Sequence, residues 1–395
     1  MTWDIFCTVI DNYGDIGVTW RLSRQLATEH AIPVRLWVDD LRAFQTLRPE
    51  INPTLAIQHL TGVEIRHWTT PMPEVEPGEV VIEALACNLP EAFVARMAAR
   101  QPAPVWINLE YLTAEDWAAG VHGLPSPHPR LSLTQYFFMP GYTANTGGLM
   151  HEAWLDAERD AFQSDTAART RFLTHLGLSK PDSGELLISL FSYENRALPV
   201  LLQAWATGRE PIHVLIPVGK ALPEVATWLG ETALDEKISP KLPVPGSVFR
   251  RGALTLSILP MLDQDTYDRV LWACDLNFVR GEDSFVRAQF AARPLIWQAY
   301  IQPEDAHLTK LEAFLDLYCA DMTPALAQQT RMLWRAWNTT AFNEAEPAPP
   351  ITSLWPTLLK ALPELSAHAR GWNEQLNQQP DLATNLLNSC RKWLK

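Results

Sequence analysis

The stretch DNYGDIG, residues 11–17, sets two carboxylates and two glycines directly behind the apolar run WDIFCTVI. A strand that leads through a glycine-bearing turn into a helix commonly receives a phosphate on free backbone N–H groups. Neither G-x-G-x-x-G nor G-x-x-x-x-G-K-[ST] stands here, which removes the dinucleotide and P-loop readings. Gly14 and Gly17 still allow a tight turn and a close backbone approach. Asp11 and Asp15 point to different chemistry, because a carboxylate pair holds a cation or removes a substrate proton better than it holds a phosphate. Taken alone, Asp15 also suits the first turn of a helix beginning near Val18, as a cap favoured by the helix dipole.

The anion-binding chemistry sits further along, in LNFVRGEDSFVRAQFAARP, residues 276–294. Arg280 and Arg287 flank a turn, Ser284 opens a helix, and backbone N–H groups around Asp283 to Phe285 are free. Guanidinium, hydroxyl and helix end together fit a pyrophosphate. Glu282 would repel phosphate and is better suited to accept from sugar hydroxyls. The same residues can equally form a capped helix with solvated arginines. In ISLFSYEN, residues 188–195, Phe191 and Tyr193 end a strand; packing in the core is the commoner fate of such aromatics, while Asn195 and the exposed strand end would bring Tyr193 to a ligand. The apolar turn before Gln264 in LPMLDQDTYDRVLWACD suits a flat base. Asp263 to Asp265 spell D-Q-D, yet no histidine cluster accompanies them and no metal is expected, so the arginines and the helix end must stabilise a leaving diphosphate.

These turns require elements that hold them. WDIFCTVI, PVRLWVD, EVVIEAL and PVWINLE read as buried strands, and they alternate with helical stretches such as VTWRLSRQLATEH and PEAFVARMAAR. Such βαβ alternation implies a parallel sheet covered by helices. A helical TAARTRFLTHLGL followed by the turn-rich SKPDSGE marks a boundary, after which LLISLFSY, IHVLIPVG, ALTLSILP, LNFVRG and PLIWQAY repeat the alternation. The expected organisation is an N-terminal Rossmann-like lobe over residues 1–175, a C-terminal one over 176–360, and terminal helices over 361–395 that pack back on the first lobe. EAEPAPPITSLWP reads as a linker. Two α/β lobes facing a central cleft would hold a ligand at the carboxyl ends of their strands.

Composition is consistent with this frame. The 395 residues are too many for one compact core. An apolar fraction of 47% with 19% charged residues is that of an ordinary globular chain. A formal charge of −13 argues against nucleic-acid binding. The five cysteines are scattered and odd in number, as expected of reduced thiols in a cytoplasmic protein. No basic segment followed by an apolar core opens the sequence and no apolar run approaches ~20 residues, so neither export nor a membrane partner is expected.

The stretches DNYGDIGVTWRLSRQL, WINLEYLTAEDW, FFMPGYTANTGGL, LFSYEN and YDRVLWACDLNFVRGEDSFVRAQ resemble the EarP family, protein-arginine rhamnosyltransferases that modify elongation factor P. The resemblance runs from the first strand into the second lobe. It implies a GT-B glycosyltransferase fold, TDP-β-L-rhamnose as donor with no further cofactor, inversion at the anomeric carbon, and one arginine of elongation factor P as acceptor, which the modification activates. It implies Asp15 as general base, with Asp11 and Glu282 as further catalytic acids. Donor-binding roles fall on Asn12, Tyr13, Gly14, Asp15, Phe191, Tyr193, Gln264, Arg280, Gly281, Glu282, Asp283 and Ser284. Two departures stand out: Ala292 occupies a position where the family pattern has glycine, and Met261-Leu-Asp263 replaces F-L-P before Gln264. Other TDP- or UDP-sugar transferases or epimerases share the two lobes and the diphosphate turn, and a non-catalytic binding protein for a translation factor is a third reading.

Overall fold

The computed structural model describes residues 1–10, 13–85, 87–179, 182, 184–230, 242–339 and 351–394. The chain forms two compact units, Met1–Ala153 with Leu376–Lys395, and Trp154–Gln375. No described helix is long and apolar enough to cross a membrane.

The first unit runs β1 (Trp3–Cys7), α1 (Gly14–Thr28), β2 (Val34–Val38), α2 (Leu41–Leu47), β3 (Ile57–Leu60), β4 (Val63–His67), β5 (Val80–Ala84), α3 (Glu91–Ala99), β6 (Val105–Leu109), α4 (Trp117–Val121), β7 (Pro125–Pro127) and β8 (Thr134–Phe138). Its sheet has the order β3-β4-β2-β1-β5-β6-β8-β7, parallel except for the edge strands β3 and β7. The four strands read from apolar runs are the central ones, buried throughout except at the half-buried Arg35 and Asn108, as parallel strands covered on both faces are. The β3–β4 hairpin was not foreseen, because its exposed, polar face breaks up the apolar pattern. Phe6, Trp37, Phe93, Met97 and Trp106 fill one face of this sheet, with Phe6 and Trp37 stacked at 5.5 Å. Burying each such side chain contributes ~1.5–3 kcal/mol.

The second unit contains α5 (Leu155–Ser164), α6 (Thr166–His175), β9 (Leu186–Leu190), α7 (Leu198–Thr207), β10 (Ile212–Pro217), α8 (Leu222–Leu229), β11 (Val248–Arg251), β12 (Leu254–Leu259), α9 (Gln264–Ala273), β13 (Leu276–Arg280), α10 (Asp283–Phe290), β14 (Leu295–Gln298), α11 (Ala306–Tyr318), α12 (Pro324–Asn338) and α13 (Ile351–Leu376). The strand order is β11-β12-β10-β9-β13-β14, with only β11 antiparallel. Two Rossmann-like α/β units in one chain are the GT-B plan.

The boundary was expected near residue 175, and the chain divides at Ala153–Trp154 instead. The reason lies in α5 and α6. Gln163 donates to Ala291 O at 3.0 Å, Arg169 pairs with Asp275 at 2.8 Å, and the Phe162 ring lies 5.9 Å from Trp272, so both helices fold with the second sheet. At the other end, only the segment from Leu376 joins the first unit. There α14 (Leu382–Trp393) stacks Trp393 on Tyr136 at 4.3 Å, and Asp381 accepts from Gln25 at 3.2 Å. The expected linker is also corrected in part. Residues 351–356 are the opening turns of α13, which carries Pro356 and Pro363 inside it; residues 344–350 lie outside the described ones.

Candidate active site

Asp15 stands in the first turn of α1 and is 2% exposed. It is not the cap: that position is Tyr13, whose side chain makes no capping bond. The carboxylate faces back over the turn, accepting from Ile10 N–H at 2.8 Å through Oδ2 and from the Tyr111 hydroxyl at 3.1 Å through Oδ1. Thr19 donates to the Asp15 carbonyl at 2.8 Å, which ties the first turn to the second. Cys7, at the end of β1, is buried, and burial pushes its thiol pKa up, with Asp15 and Asp39 adding to the effect. The Ile10 N–H and the Tyr111 hydroxyl therefore direct one carboxylate at the carboxyl end of the central strand. Asp11 and Asn12 lie outside the described residues. Gly14 begins α1, with Tyr13 half-buried before it.

In the second unit the strand ends bring together Phe191, Tyr193 and Arg280. The Arg280 guanidinium lies 4.5 Å from the Phe191 ring centroid and 4.4 Å from that of Tyr193. Arg280 is 7% exposed, and its buried Nε has no hydrogen-bond partner among the described residues. Gly281 turns the chain at φ +61°, and a Cβ there would come within 3.1 Å of the Tyr193 hydroxyl. Glu282 precedes α10 without a side-chain capping bond. Asp283 accepts from Gln264 Nε2 at 2.8 Å, so the first residues of α9 and α10 are bonded to each other. The Ser284 hydroxyl donates to the Arg280 carbonyl and accepts from the Arg280 N–H at 3.2 Å, which holds it on the strand end.

One expectation is overturned. Arg287 does not share the anionic end with Arg280: it is 2% exposed and paired with Asp268 of α9 at 2.7 Å. A guanidinium committed to a buried carboxylate orders the two helices rather than meeting a phosphate. Asp263 caps α9, accepting from Thr266 N–H at 2.9 Å and from its hydroxyl at 2.7 Å. Among the described residues no group of three or more His, Cys, Asp or Glu could share a metal ion.

Residues missed from sequence complete the support. Gln298, ending β14, accepts from Tyr193 N–H at 2.9 Å and donates to the Glu194 carbonyl at 3.2 Å. Trp297 donates to the Gly281 carbonyl at 2.8 Å, and Tyr300 stands edge-on to Tyr193 at 5.4 Å. PLIWQAY was legible as a strand; that its last residues brace a neighbouring turn follows from the strand order, which no local pattern encodes.

The family described as "Elongation-Factor P (EF-P) rhamnosyltransferase EarP" matches residues 3–391, which span both units. A protein-arginine rhamnosyltransferase of Pseudomonas putida is 49% identical over the whole of this chain and 99% of its own length. Its counterpart in Pseudomonas aeruginosa is 47% identical, each chain being covered completely. A solved structure concerned with EarP-mediated arginine glycosylation of translation elongation factor EF-P superposes with a TM-score of 0.66 at 36% identity, covering 99% of both chains. Matched from its first strand to its terminal helix, the chain belongs to the EarP family and is a glycosyltransferase, a protein-arginine rhamnosyltransferase.

Proposed function

We propose that this enzyme transfers L-rhamnose from TDP-β-L-rhamnose to one arginine of elongation factor P in the cytoplasm, with inversion, and so activates the factor. One observation carries the reading: the family match covers residues 3–391, taking in both the Asp15 turn and the RGEDS turn. The five cysteines are buried and unpaired, as suits a reducing compartment.

The chemistry needs both turns. A guanidinium holds its proton to a pKa above ~12 and delocalises its lone pairs, which makes it a poor nucleophile at neutral pH. Asp15, fixed by Ile10 and Tyr111, pairs with the group, aligns one nitrogen for attack and takes its proton as the C–N bond forms. Asp11, from the same turn, is the second carboxylate for the cation. Glu282 is the third catalytic acid and accepts from the sugar hydroxyls. As the bond to the diphosphate breaks, the charge that develops is met by Arg280, by the Ser284 hydroxyl rotated off the strand end, and by the first N–H groups of α10. These groups carry the leaving-group charge, so the reading calls for no metal or cofactor. Phe191, Tyr193, Gln264, Gly281 and Asp283 shape the donor pocket, and Asn12, Tyr13 and Gly14 meet the donor from the first unit.

The test pairs binding with single turnover. Asp15→Asn is expected to bind TDP-rhamnose as the unaltered enzyme does in calorimetry, yet to give no rhamnosylated elongation factor P in one turnover. Turnover retained in this variant would remove Asp15 as the base. A melting-temperature rise with UDP-sugars and none with TDP-rhamnose would refute the donor.

A further inference from the structure

Tyr111 follows β6 in the stretch WINLEYLTAEDW and has no part in the chemistry above beyond its contact with Asp15. Its hydroxyl reaches two acceptors, Asp15 Oδ1 at 3.1 Å and the Leu85 carbonyl at 3.2 Å. A phenol carries one proton, so it serves only one of them at a time. Leu85 holds φ at +56°, a left-handed conformation that is costly for a bulky residue and is met chiefly where the surroundings impose it. Its own N–H is fixed by Leu109 O at 2.8 Å, so the carbonyl that Tyr111 meets is pinned beside the end of β6.

The other oxygen of Asp15 is engaged by the Ile10 N–H. Two titratable groups beside Asp15 are the Cys7 thiol from β1, kept neutral by burial, and Tyr111 itself; Asp39, just past β2, accepts from Val9 N–H at 2.9 Å. The backbone N–H on Oδ2 cannot turn away, whereas the phenol O–H on Oδ1 can rotate to the Leu85 carbonyl, which makes Oδ1 the oxygen able to take a proton from the acceptor.

We infer that Tyr111 is a positioning residue that partners Asp15 in both of its protonation states, donating to the carboxylate before proton transfer and accepting from the carboxylic acid afterwards. In the second state the phenol turns its proton to the Leu85 carbonyl. The acceptor N–H bond breaks, the Asp15 Oδ1–H bond forms, and Tyr111 keeps a single proton throughout. The inference rests on Asp15 being the base. It adds that the acid formed is held toward Tyr111 instead of returning its proton to the product.

The experiment compares pH profiles of kcat in the full-length enzyme, with TDP-rhamnose and elongation factor P as substrates. Tyr111→Phe keeps the ring and removes the hydroxyl. It is expected to lower kcat by about tenfold or more, to leave KM for the donor unchanged, and to move the acid limb to higher pH, because an ionised carboxylate loses more than a neutral acid when a donor is deleted. Replacing Tyr111 by 3-fluorotyrosine makes the phenol a stronger donor and should move the limb the other way at near-normal kcat, which keeps the test decisive if the phenylalanine variant folds poorly. Wild-type profiles in both variants would overturn the inference. Asp15→Asn separates the two claims: if it turns over, the base assignment fails, whereas a dead Asp15→Asn beside an unaltered Tyr111→Phe removes only the role of Tyr111.

Discussion

Arg280 and Arg287 flank the same turn and look equivalent in the sequence, yet the fold gives them opposite tasks. Arg287 meets a buried carboxylate across two helices, while Arg280 lies against two aromatic rings with its Nε unpaired among the described residues. Rings compensate a guanidinium less than a carboxylate does, so on the proposed reading Arg280 keeps charge available for the anionic donor. Arg280→Lys retains the charge and loses the plane. Its affinity for TDP-rhamnose is expected to fall by about tenfold or more, measured by calorimetry, and an unchanged affinity would mean that the rings do not orient the group. What separated the two arginines was Asp268, which lies on another helix, and sequence reading had no means of pairing them. The same holds for Tyr111, whose motif was visible in the sequence while its partner, Asp15, was far away along the chain. The turns that carry Asp15 and RGEDS were legible because each lies between a strand and a helix whose patterns flank it directly.

At the scale of elements, apolar runs gave the central strands, and interruptions of the pattern hid the rest. The β3–β4 hairpin alternates with exposed and half-buried residues, and the stretch ending at Pro356 read as a linker where α13 is continuous across Pro356 and Pro363. The departure at residue 292 has a physical meaning here. Ala292 follows α10 at φ +52°, a conformation that glycine adopts without strain. Ala292→Gly is expected to raise stability by about 0.5–1 kcal/mol, after the entropy glycine adds to the unfolded chain, with no change in donor affinity. A loss of stability in urea unfolding would contradict this.

Glu83 of β5 offers a pH test at the same scale. Burial raises its pKa, although Leu89 N–H, at 2.8 Å, and Gln135 donate to its carboxyl group. The folded state thus holds this proton to higher pH than the unfolded chain. The resulting stability is present below about pH 4.3 and is lost as pH rises through the folded value. Glu83→Gln carries no such loss, so its stability relative to the unaltered protein should grow from acid toward neutral pH in denaturant titrations. A difference that is flat or shrinks over that range would show that the carboxyl group ionises as easily when folded as when unfolded.

Across the whole molecule, the proposed reading gives each unit one half of the transfer reaction. The first fixes a carboxylate at the end of its central strand, and the second fixes an arginine and a helix end at the corresponding edge of its own sheet. Two α/β lobes were predictable from the repeated strand and helix periods. The division at Ala153–Trp154 was not, because α5 and α6 carry no signal of which sheet they will cover until Gln163, Phe162 and Arg169 find their partners. Rhamnose transfer to protein arginine was legible through family motifs alone, since no residue type encodes rhamnose. The most direct test is therefore the intact mass of elongation factor P after incubation with this enzyme and TDP-rhamnose. One deoxyhexose increment is expected, absent when the acceptor arginine is replaced by lysine and absent with Asp15→Asn; an unmodified factor under conditions where the enzyme binds TDP-rhamnose would overturn the proposed function.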